Sequence, residues 1–118
     1  MKSILRASAA LAFVLELLVS AQVFAQANNV TGEWAFTVTT DQGGGNPVIT
    51  LKRGRAYTFL INADFNHPFE ILDAPPGSVT NNNISQGILT FAVPLTPVGY
   101  RYQCSVHPFM TNAIITVP

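Results

Sequence analysis

The segment YRYQCSVHPFM, residues 100–110, joins a strand pattern to three residue types that are rare in this chain. Its two tyrosines and Cys104 fall at alternate positions, so they share one face of an extended strand. Cys104 is the only cysteine among 118 residues, and His107 and Met110 follow it at intervals of three. The chain has only one other histidine and one other methionine. The segment therefore predicts a buried strand that ends in a loop with clustered sulfur and imidazole side chains.

The sequence on both sides of this segment repeats the strand pattern. Trp34, Phe36 and Val38 occupy alternate positions, and no stretch after residue 25 has a helical period. About seven short strands with turn residues between them predict an antiparallel β-sandwich or barrel. The longest connection, 73–87, is rich in proline, glycine and asparagine and is expected to be a plain exposed loop. The other strand candidates are VITLKRG (48–54), AYTFLIN (56–62), HPFEIL (67–72), ILTFAV (88–93), GYRYQC (99–104) and NAIITV (112–117).

Composition narrows the class of protein. Hydrophobic residues make up 48% of the chain and charged residues 10%, and the formal net charge is zero. These values are typical of one compact globular domain rather than of a disordered chain. The sequence has no basic stripe of the kind that indicates nucleic-acid binding, so we expect no nucleic-acid partner.

Residues 1–25 have the features of a secretory signal peptide. A basic start precedes an apolar run, and the motif VFA, ending at Ala25, places small or modest side chains where a signal peptidase reads. We predict that 1–25 is removed and that 26–118 is the mature domain, with a cut near Ala21 as the alternative. The apolar run is too short and too interrupted for stable membrane insertion. We therefore expect export, either to a periplasm or out of the cell.

The lone Cys104 cannot form an internal disulfide, so in an exported protein it is free, intermolecular or bound to another group. A thiolate, an imidazole and a thioether are soft or borderline metal ligands, and the loop has no carboxylate for calcium or magnesium. Zinc seldom uses methionine. Two histidines and one cysteine with a weak axial methionine match a blue-copper electron-transfer site. The second histidine would have to be His67, at the start of the strand candidate HPFEIL.

Two stretches resemble the cupredoxin superfamily, and the resemblance covers nearly the whole mature chain. The loop CSVHPFM (104–110) is most similar to that of amicyanins and plastocyanin-type proteins, and PVITLKRGRAYTFLINADFNHPFEI (47–71) resembles the stretch that leads to the first histidine ligand. The resemblance implies a Greek-key β-sandwich of about seven to eight strands and one type 1 copper ion per chain. The implied copper ligands are His67, Cys104, His107 and, in the axial position, Met110.

The resemblance also implies a function. With all four ligands supplied by the protein and no open position for a substrate, we expect a one-electron carrier rather than an enzyme. A redox partner would dock on the apolar rim near His107, Pro108 and Phe109, and the protein would act as a monomer. Two alternatives stay open here: copper storage, delivery or sequestration through the same ligands, and a nucleophilic enzyme that pairs Cys104 with His107.

A departure from the family concerns the hydrogen bond to the cysteine sulfur. Many relatives use the backbone N–H of the residue after the first histidine, but here that residue is Pro68, which has no N–H. Val106 keeps its N–H where relatives often have proline. We therefore predict that Val106 donates to the sulfur of Cys104, so that Val106→Pro would lower the reduction potential.

Overall fold

Nine strands make up the computed structural model of the chain, which describes residues 21–30, 32–38 and 45–118. No helix in these ranges is long and apolar enough to cross a membrane. The strands are β1 (Ala21–Val30), β2 (Glu33–Val38), β3 (Ile49–Lys52), β4 (Ala56–Asn62), β5 (Phe69–Leu72), β6 (Val79–Thr80), β7 (Gln86–Ala92), β8 (Tyr100–Cys104) and β9 (Thr111–Val117).

Two sheets enclose the core, which confirms the predicted all-β sandwich. The five-stranded sheet has the order β2-β1-β4-β7-β6, and the four-stranded sheet has the order β3-β9-β8-β5. Most strand pairs are antiparallel, as expected, but β1 pairs with β4, and β3 with β9, in parallel. These pairs join strands that are distant in the chain. Local alternation predicts which side chains are buried, but it carries no information on the direction of a distant partner.

The structure has two more strands than the seven read from the residues. One is β1, whose first half, Ala21 to Ala25, belongs to the predicted signal peptide. The other is β6, which has only two residues and lies in the connection 73–87. A strand this short has no alternation that a sequence pattern could reveal.

The connection 73–87 is largely exposed, but its asparagines form specific hydrogen bonds with neighbouring parts of the fold. The side chain of Asn82 accepts a hydrogen bond from the backbone N–H of Ile71 at 2.8 Å and donates to the carbonyl of Ile71 at 2.9 Å. It therefore satisfies both backbone groups on the edge of β5, as a neighbouring strand would. In addition, the hydroxyl of Ser105 donates to Oδ1 of Asn83 at 2.7 Å, which ties this connection to the loop that follows β8.

Aromatic rings fill the centre of the core. The ring of Phe69 lies 5.0 Å from that of Phe36, 5.6 Å from that of Phe59 and 5.2 Å from that of Tyr102. All four side chains are fully buried, and they come from both sheets. Phe69 follows His67 by two residues, and both are buried, as the alternation of HPFEIL predicts. The aromatic centre therefore supports the end of the sandwich that carries His67.

The first half of β1 belongs to the sheet. Residues Ala21 to Ala25 pair in parallel with β4, and the side chains of Val23 and Ala25 are buried in the core. The strand lies between β2 and β4, so a cut after Ala25 would expose the backbone of β4 and open the core. The predicted signal segment before Ala21 lies outside the described residues and stays a prediction. A cut near Ala21 would leave most of β1 in place.

A protein that begins at Gln26 is therefore expected to be much less stable than one that begins at Gln22. Burial of Val23 alone contributes about 1.5–3 kcal/mol, and loss of the strand also leaves backbone groups of β4 without partners, so we expect a loss of about 3 kcal/mol or more. Urea denaturation of the two proteins measures the difference. N-terminal sequencing of the exported protein should find Gln22 first. Equal stability of the two proteins would contradict the prediction.

Candidate metal centre

The connection between β8 and β9 is a tight loop that, with the last residue of β8, contains three of the predicted ligands. Gln103 lies opposite Thr111 in the β8–β9 pairing, and residues 105–110 form the whole connection between Cys104, the last residue of β8, and β9. The backbone N–H of Cys104 donates to the carbonyl of Met110 at 2.9 Å, and the N–H of Met110 donates to the carbonyl of His107 at 2.9 Å. The side chains of Cys104 and Met110 are both fully buried. The two sulfur-containing residues thus lie at the two ends of the loop, joined by a backbone hydrogen bond and buried.

The sulfur of Cys104 has His107 as its nearest polar neighbour. Nδ1 of His107 lies 3.8 Å from Sγ, and the backbone N–H of His107 donates to the same sulfur at 3.3 Å. The prediction that Val106 supplies this hydrogen bond is therefore wrong. In so tight a turn, the N–H three residues after the cysteine points back at its side chain, as in a helix cap. There is therefore no reason to expect Val106→Pro to lower the reduction potential through this hydrogen bond.

His67 reaches this loop through the pairing of β5 with β8. Phe69 lies opposite Cys104, and the N–H of Ser105 donates to the carbonyl of Pro68 at 3.3 Å. The rings of His67 and His107 are consequently stacked, with centroids 4.8 Å apart and an angle of 24° between their planes. The structure therefore brings together the only cysteine of the sequence and both of its histidines.

The two ring nitrogens of His67 have different surroundings. Nδ1 lies 2.5 Å from Oδ1 of Asp64, which also accepts a hydrogen bond from the N–H of Asn66 at 3.0 Å. Nε2 is buried and has no hydrogen-bond partner in the described part of the chain. His67 is only 3% exposed. A buried nitrogen without a partner costs free energy, and this atom is therefore available to bind a metal ion.

Trp34 also contacts the site, which its position in the sequence does not indicate. Its ring stacks on that of His67, with centroids 4.4 Å apart and 30° between the planes. The alternation of Trp34, Phe36 and Val38 placed the tryptophan on the inward face of β2. The alternation did not show that the beginning of β2 lies against His67.

The donor set fits copper better than any other common metal. It combines a thiolate, two imidazoles and a thioether, and the unpartnered Nε2 of His67 is a nitrogen free to bind a metal. Within the described ranges, no three or more side chains among His, Cys, Asp and Glu are arranged as a metal-binding group. His67, Cys104 and His107 are therefore close together but are not arranged as a closed metal-binding group in this part of the chain. The candidate set also includes Met110, a type of ligand that zinc seldom uses and that copper accepts.

Solved structures that resemble this fold include cupredoxins. A purple cupredoxin from Nitrosopumilus maritimus aligns with a TM-score of 0.52 at 16% identity, covering 83% of this chain and 100% of that chain. Rusticyanin from Thiobacillus ferrooxidans aligns with a TM-score of 0.51 at 23% identity, covering 83% of this chain and 77% of that chain. No protein-family model and no curated protein matches the sequence. The chain therefore has a cupredoxin-like fold, and its chemistry has to be argued from its own site.

Proposed function

We propose that this protein is an exported, monomeric one-electron carrier with one type 1 copper ion per chain. The proposed ligands are His67, Cys104 and His107, with Met110 in the axial position. The observation that carries the proposal is the convergence of the only cysteine and both histidines at one end of a cupredoxin-like sandwich. When bound, copper supplies a couple between two oxidation states that differ by one electron.

The protein's own contribution is to hold these side chains in one arrangement. The loop 104–110 is closed by backbone hydrogen bonds, and His67 is anchored by Asp64 and by ring contacts. Cys104 and Met110 are fully buried and His67 is nearly so, while His107 is half-buried. Such a site leaves little room for substrate and needs little rearrangement between states, which favours a carrier over a catalyst.

The half-buried His107 is the proposed point of electron exchange. Pro108 and Phe109 beside it are exposed, and the ring of Phe109, which is 58% exposed, packs edge-on against His107 at 5.7 Å. An exposed apolar surface next to a polar site is a feature of docking surfaces for other proteins. We therefore propose that the redox partner docks on the rim formed by His107, Pro108 and Phe109.

The test of this function is to load the protein that begins at Gln22 with copper(II). We expect binding of one equivalent, an intense thiolate-to-copper absorption band, and reversible bleaching by a one-electron reductant. A colourless protein that prefers zinc would contradict the proposal. Ready transfer of copper to an apo-protein, with slow exchange of electrons, would point instead to copper storage or delivery.

Asp64→Ala is expected to weaken metal binding. The carboxylate of Asp64 fixes the orientation of His67, and removing such an orienting partner typically lowers metal affinity by about 10–100-fold. Asp64→Asn keeps an oxygen near Nδ1 and should lose less. Competition with a chromogenic copper(I) chelator measures both.

Asp73→Asn is the matched control, because it makes the same change of charge at the far end of β5. It should bind copper(I) like the unmodified protein. An unchanged affinity in Asp64→Ala would show that the contact with His67 has no role in holding the metal.

A further inference from the structure

We propose that Trp34 is a positioning residue of this centre, which covers one face of His67 and slows the release of the bound metal. The inference rests on the proposed function, because it takes His67 to be a metal ligand. It concerns a residue from a different sheet, more than thirty positions before the first histidine in the sequence.

The imidazole of His67 is restrained on three sides. Trp34 and His107 both stack on it, with centroids at 4.4 Å and 4.8 Å. At these separations the two rings cannot share one face of the imidazole, so each covers its own face. Asp64 engages Nδ1 at the ring edge. The contacts therefore leave Nε2 as the unengaged polar atom of a ring that cannot readily turn.

Trp34 separates His67 from solvent. Trp34 is the first inward-facing residue of β2 and lies at the rim of the sandwich. It is 37% exposed, whereas Phe36, on the same face, is fully buried. A cleft of about 330 Å³ lies beside it, lined by Gly32, Glu33, Trp34 and Phe109. The tryptophan ring therefore lies between the solvent-filled cleft and the candidate ligand His67.

This position has a consequence for metal exchange. A chelator that removes the metal must displace a ligand, and a histidine held by a stacked ring swings away less often than a free one. The contact between two stacked aromatic rings stabilises them beyond the effect of their buried area. This extra stabilisation changes the equilibrium between the stacked and the displaced ring by a factor of about 2–10. Loss of the ring at position 34 should therefore speed the release of copper(I) by about 2–10-fold.

The experiment compares Trp34→Leu and Trp34→Met, which lack a ring, with Trp34→Phe, which keeps one. Release of copper(I) to bathocuproine disulfonate is followed by absorption. We expect both ringless variants to release the metal about 2–10-fold faster and Trp34→Phe to stay within about twofold of the unmodified protein. Two ringless variants are made so that the comparison survives if one of them does not fold.

Phe65→Leu is the matched control. Phe65 is an aromatic residue in the loop before His67, but it is 82% exposed. Its replacement should leave the release rate unchanged. This variant separates the loss of a specific stacked ring from the general loss of aromatic surface near the site.

Nuclear magnetic resonance of the metal-free protein gives a readout that does not depend on copper. The ring protons of His67 should be shifted upfield by the current of the Trp34 ring, and the shift should disappear in the ringless variants. Unchanged release rates together with unchanged His67 resonances would overturn the role of Trp34 and leave the copper function intact. Failure of the unmodified protein to bind copper would overturn the proposed function and this role with it.

Discussion

Cys104→Ser is expected to abolish the visible charge-transfer band of the copper-loaded protein and to lower its copper(I) affinity by at least about 100-fold. The band requires a thiolate, and a hydroxyl oxygen is a poor ligand for the soft reduced ion. Removing an orienting partner of a ligand already costs about 10–100-fold in affinity, and this change removes a ligand. Serine is close in size to cysteine and finds the N–H of His107 as a partner, so the fold should persist.

The measurement is the absorption spectrum with one equivalent of copper(II), followed by competition for copper(I). Met110→Leu is the control, because it removes the sulfur of the residue at the other end of the loop. An axial methionine is a weak ligand, so this variant should keep the intense band. An intense band in Cys104→Ser would mean that the thiolate of Cys104 is not the copper ligand.

Phe69→Ala is expected to give the largest loss of stability of any single substitution considered for this protein. The side chain is fully buried and contacts three other buried aromatic rings. Truncating a buried phenylalanine typically costs about 3–5 kcal/mol, out of the 5–15 kcal/mol that is roughly the total for a domain of this size. Because Phe69 also pairs with Cys104, its loss should loosen the loop that carries the proposed metal ligands.

Phe65→Ala removes the same side chain only four positions earlier in the sequence. That residue is 82% exposed, so the change should stay within about 0.5 kcal/mol. Urea denaturation of the metal-free proteins measures both effects. A loss below about 1 kcal/mol in Phe69→Ala would show that the aromatic centre relaxes around the cavity and does not anchor the fold.

Much of the core could be predicted from local alternation. In β4 and β8 every second residue is buried, as their patterns of apolar and polar residues predict. The candidate ligands in the loop were predictable for a related reason. Cys104, His107 and Met110 lie within seven residues, and any closed turn between two paired strands brings such near neighbours together.

The sequence by itself therefore determined the class of fold, the inward faces of its strands and which side chains stand together in the loop after β8. The tertiary structure alone decided the rest: the parallel pairing of β1 with β4, the donor to the sulfur of Cys104, and the ring of Trp34 against His67. The physical reason is that a local sequence pattern reports only on neighbouring residues in the chain. Burial and alternation act between near neighbours in the chain, whereas these contacts join residues whose proximity depends on how two sheets pack, or on the path of the backbone within a turn.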